Sequence, residues 1–137
     1  MKTCIEDMIR INNGPAISYM VSRFGLKPEG VIPGSGKHYI QRAIEQAADT
    51  VVEKLLELNL DPNKIYGSKT PIAFVLEEEE KILSEQNISR EQEDKLNRLF
   101  LIAGALLNAG AKFVVRKNKT NATPIAKFIA QQSAQYA

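Results

Sequence analysis

Among the 137 residues, the string with the strongest claim to chemistry is Gly30-Val31-Ile32-Pro33-Gly34-Ser35-Gly36-Lys37-His38. A Gly-Lys pair after a glycine-rich turn is what a phosphate-binding loop uses, with its amides cradling an anion and its lysine reaching the outer phosphates. Such a loop also needs a glycine five residues ahead of the pair and a Ser or Thr after it to reach magnesium. Val31 and His38 occupy those places and no buried strand precedes them, so the string reads as a hairpin turn.

Cys4 and His38 would make a nucleophile and base only with a third residue to orient the imidazole, and none can be named. A single cysteine forbids an internal disulfide, and a single histidine leaves few conventional metal sites, so no cofactor or metal is expected. Asn87-Ile88-Ser89, Asn118-Lys119-Thr120 and Asn121-Ala122-Thr123 fit the glycosylation pattern, but they read better as turn and capping residues. The chemistry-bearing residues therefore point away from an enzyme.

The charge pattern carries more. Between Leu76 and Asp94 lie eight acids (Glu77, Glu78, Glu79, Glu80, Glu85, Glu91, Glu93, Asp94) against Lys81 and Arg90. From Lys112 to Lys127 there are Lys112, Arg116, Lys117, Lys119 and Lys127 with no acid. The bland reading is solvated helix faces; the functional one is a divided surface that orients a partner. A net charge of +2 and only 7% aromatic residues argue against nucleic acid as the partner. No apolar run reaches the ~20 residues of a membrane span, and Glu6 and Asp7 stand where a signal peptide would be apolar, so a cytoplasmic protein is expected.

The elements that must position these residues are helices. Val51/Val52 with Leu55/Leu56, and Ile102/Ala103 with Leu106/Leu107, place apolar pairs four apart on one helix face. These two stretches end at Asn59 and Gly110, residues that tolerate positive φ. Thr70-Pro71-Ile72-Ala73 and Thr123-Pro124-Ile125-Ala126 each set a Thr N-cap before a Pro at the first helical position. His38 holds the Thr place in an earlier, poorer copy. The spacing implies a period of about 33 residues, interrupted once. The interruption, about residues 78–96, reads as two lengthened helices joined near Gln86 to Ser89, with Ser89-Arg90-Glu91-Gln92 as a capping box.

With that period, Thr-Pro-Ile-Ala helix starts, a Leu-Leu pair near the end of the second helix and Gly-Ala or Asn-Leu-Asp closing it, the chain resembles the ankyrin repeat family. The resemblance implies one domain over 1–137, an all-α, ankyrin-like helical-pair solenoid of about three and a half repeats (2–30, 34–64, 66–115 with the insertion, 118–137) with a protruding helical hairpin. The family's His position holds Gln41, Ala73 and Ala126, which implies a looser stack. Val51, Val52, Leu55, Leu56, Leu99, Ile102, Leu106 and Leu107 are expected core, while Met8, Ile9, Ile17, Met20 and Val21 seal the N-terminal side. The last helix, with Ile125, Phe128 and Ile129, lacks a following partner helix.

The resemblance further implies binding of another protein on a concave face. That face would use Ser35, Lys37, Arg42 and Glu45 from one repeat, Tyr66, Lys69, Phe74, Glu77 and Glu78 from the next, and Lys119, Thr120, Lys127 and Gln131 from the last. Tyr66 and Phe74 are the expected exposed anchors. A monomer is favoured, and a bacterial effector acting in a host cytosol is one setting. The rival readings are a docking or regulatory fragment of a larger enzyme and a self-assembling structural protein.

Overall fold

The computed structural model describes residues 2–32, 34–112 and 123–135. Seven α-helices lie among them: α1 (Lys2–Arg10), α2 (Gly14–Phe24), α3 (Tyr39–Glu45), α4 (Asp49–Glu57), α5 (Pro71–Leu83), α6 (Arg90–Asn108) and α7 (Pro124–Gln135). The described residues contain no strand, only the isolated antiparallel bridges Val31 to His38 and Tyr66 to Lys69. The chain is all-α, as the periodicity implies.

One local device recurs at four helix ends. Asn12, Ala47, Asn59 and Gly110 take positive φ (58°, 52°, 72° and 99°) after α1, α3, α4 and α6. In each case the next amide turns back into the helix: Asn13 to the Met8 carbonyl at 2.8 Å, Ala48 to Ala43 at 2.8 Å, Leu60 to Leu55 at 3.1 Å and Ala111 to Leu106 at 2.9 Å. This closure satisfies carbonyls that the helix itself leaves free. Starts repeat too: the Thr70 hydroxyl accepts from the Ala73 amide at 3.4 Å and the Thr123 hydroxyl from the Ala126 amide at 3.3 Å. His38 makes no such cap.

The helices pack in two layers. In one, α1 packs on α3, α3 on α5 and α5 on α7; in the other, α2 packs on α4 and α4 on α6. A continuous core runs between the layers from Ile9 and Ile17 through Ile44, Leu55 and Leu106 to Ile129. Each such aliphatic side chain contributes about 1.5–3 kcal/mol on leaving water. No single helix pair has enough of them to stand alone. Leu56 and Leu107, expected inside, are only partly buried against this core, as are Met8 and Val21. Gly14 lets α2 start hard against α4, since a Cβ there would sit 2.6 Å from the Thr50 carbonyl oxygen.

The interruption is the expected helical hairpin. α5 runs for 13 residues where α3 has 7, and α6 for 19 where α4 has 9. Residues 83–91, around the turn, are all exposed. The Ser89 and Gln92 capping box is formed in both directions.

Candidate functional site

The Gly30–His38 stretch is a hairpin turn: the Ile32 amide donates to the Lys37 carbonyl at 2.8 Å and the Tyr39 amide to the Gly30 carbonyl at 3.0 Å. The Lys37 ammonium lies 2.9 Å from each carboxylate oxygen of Glu45. His38 places Nδ1 3.1 Å from the Glu29 carbonyl and sets its ring edge-on to Tyr66, with centroids 5.3 Å apart. The side chain of Cys4 lies outside the described residues. Among those residues no group of three His, Cys, Asp or Glu side chains is arranged to hold a metal. None of their helices is long and apolar enough to cross a membrane.

Two anchors expected on the surface are inside. Tyr66 is 0% exposed and Phe74 7%. The bridge to Lys69 folds the second hairpin back so that the Tyr66 ring enters the core, where its hydroxyl donates to the Asp61 carbonyl at 2.6 Å. Burial, joined by the charges of Glu29 and Asp61, holds the Tyr66 phenol far above its ordinary pKa. Phe74 takes an inward position of α5. Glu78, also expected to face a partner, is buried and paired with Lys81 at 3.4 Å and Lys95 at 3.8 Å, because the second hairpin helix covers it.

The other expected residues form a charged belt on the first layer. Glu45 pairs with Lys37 and, at 3.0 Å, with Arg42, whose Nε lies 3.4 Å from Glu6 on α1. Burial raises the Glu45 pKa, but Lys37 and Arg42 outweigh it and hold the carboxyl below its usual range. One period later Lys69 pairs with Glu77, which also meets Lys81 at 3.4 Å. The spacing from the hairpin lysine to the glutamate on the following helix is the same in both cases. Ser35, Lys127 and Gln131 are exposed; Lys119 and Thr120 lie outside the described residues.

Three links between helix pairs escaped the sequence reading. Asn12 Oδ1 accepts from the amides of Thr50 at 3.0 Å and Val51 at 3.3 Å, capping α4, whose own N-cap residue Ala48 has no side chain for the task. Asn63 joins the Gly110 carbonyl and the Lys112 amide. Glu79, 1% exposed, accepts the Ile125 amide at 2.8 Å and so caps α7 from α5, while its Oε1 has no hydrogen-bond partner among the described residues.

Burial raises the Glu79 pKa above the usual 4.5, with the neighbouring Glu80 adding to it and Thr123 and Ile125 opposing. A carboxyl that holds its proton more tightly when folded loses stability as pH rises from about 4.5 through its folded value. Glu79→Gln removes that titration. Its stability relative to wild type is therefore expected to increase with pH over this window and then level off, as read by urea unfolding at pH 4 to 8. A constant difference would show that Glu79 does not titrate in a desolvated site.

Comparison with protein-family models, with curated proteins and with solved structures finds no match to the chain.

Proposed function

We propose that the chain is a protein-binding module of the ankyrin kind, acting by recognition rather than catalysis, with its partner seated across the two hairpins and the outer sides of α3 and α5. The observation that carries this reading is the repeated lysine–glutamate pair, Lys37 with Glu45 and Lys69 with Glu77, each joining a hairpin to the helix that follows it. Two layers in which each first helix meets the next, and each second helix the next, support the same architecture. A half-exposed ion pair adds little to stability, with a median near 0–1 kcal/mol. A regular row of them is better suited to fixing the register of a partner and rejecting others.

The test is charge reversal of Lys37→Glu with Lys69→Glu, compared with wild type in affinity capture at two salt concentrations. The proteins captured by the wild type are expected to be lost by the variant and weakened by salt, with helical circular dichroism unchanged. An unchanged captured set at both salt concentrations would remove the belt from the binding surface.

A further inference from the structure

Where α7 of the first layer meets α6 of the second, beside α4, an apolar groove of about 740 Å³ is left open. Its walls are Leu56, Phe100 and Phe128, with Leu101 at the rim, 56% exposed, and Gly104 and Ala105 along the floor. Phe100 and Phe128 meet edge to face, with centroids 6.0 Å apart. The α6 residues that line the groove run from Phe100 to Asn108, about 12 Å at 1.5 Å per residue, a little over two helical turns.

Gly104 has no internal reason to be glycine. A Cβ there would meet only Phe128 Cζ, at an ordinary 3.9 Å, yet glycine is the poorest helix former after proline. What its bare backbone provides is close approach from outside, which suits a helix laid into the groove. Charge says which kind of helix. Glu53 and Glu57 line the α4 side one turn apart; Glu57 is paired with Lys54 at 3.1 Å, and among the described residues Glu53 has no ion-pair partner.

We infer that this groove docks one amphipathic, cationic helix of a partner protein, with its leucine or aromatic face over Gly104 and Ala105 and its Lys or Arg residues beside Glu53 and Glu57. This surface is separate from the charged belt, and its failure would leave the belt's reading untouched.

The test uses the full chain with an 18-residue idealised Leu/Lys amphipathic peptide and its Leu/Glu counterpart, followed by amide chemical shifts and fluorescence anisotropy. The Leu/Lys peptide is expected to shift amides of 53–57, 100–109 and 128 in saturable fashion and to bind at least tenfold more tightly than Leu/Glu. Leu101→Asp, at an exposed site, should abolish the shifts, and Glu53→Lys with Glu57→Lys should weaken binding about tenfold. Gly104→Ala should bind several-fold more weakly while unfolding at a higher temperature, a combination that loss of fold cannot produce. Shifts confined to 84–94, or binding indifferent to Leu101→Asp, would mean charge attraction alone and overturn the proposal. A concentration-dependent dimer that Leu101→Asp turns into a monomer would also overturn it, by making a second copy the occupant.

Discussion

Replacing Tyr66 by alanine is expected to cost about 3–5 kcal/mol of folding stability, the usual consequence of emptying a site occupied by a large buried aromatic ring. A domain of this kind has only about 5–15 kcal/mol in total, so the variant should unfold at much lower urea and be partly unfolded near body temperature. The ring is 0% exposed and packs against His38 from the preceding hairpin, so its loss also cuts a contact between successive pairs. Tyr66→Phe separates the two contributions. It keeps the ring and loses only the hydroxyl's bond to the Asp61 carbonyl, about 1 kcal/mol. Urea unfolding followed by circular dichroism decides the matter: an alanine variant within 1 kcal/mol of wild type would return Tyr66 to the surface as a candidate anchor.

The second large effect is expected at Asn12→Ala, about 3 kcal/mol. Two amides at the start of α4 lose their acceptor, the Thr50 hydroxyl keeps only the Asn12 backbone carbonyl, and the Asp49 carboxylate loses the Asn12 side-chain amide that donates to it at 2.8 Å. Loss of a cap costs about 0.5–2 kcal/mol. Alanine at a φ of 58° adds about 1 kcal/mol of backbone strain. Asn59→Ala supplies the control, because Asn59 has the same left-handed backbone (φ 72°) but an exposed side chain, so it should show the strain alone. Equal losses at the two positions in thermal unfolding would show that the bond across the pairs contributes nothing.

These two residues also mark where the sequence was readable and where it was not. Helix starts were legible because Thr-Pro and Ser-x-x-Gln act within one turn, and the structure forms each of those caps. Asn59 and Gly110 were legible as stops for the same local reason. Asn12 was not, because its work is done 38 residues away; the available signal was the bare Ala48 at a helix start that needs a cap from somewhere. Tyr66 was misplaced because composition around it is polar, whereas a single bridge to Lys69 decides which way the ring points. Glu79 sat inside a run of four glutamates that looks uniformly solvated, and only the arrival of α7 singles it out. The lysine–glutamate pairs needed the hairpins in place before their matching spacing had meaning.

The layered order of helices has a consequence for how the molecule comes apart. Among the described residues, α1 and α7 each have a layer neighbour on one side only, while α3, α4 and α5 are held on both. Opening should therefore be graded, cheapest at the two ends and most costly in the middle, where it approaches global unfolding. The Lys37 and Lys69 hairpins flank the middle pair, so a ligand there would rest on the last part to open. The groove borrows Phe128 from α7, so its occupant would hold shut one of the two ends that open first.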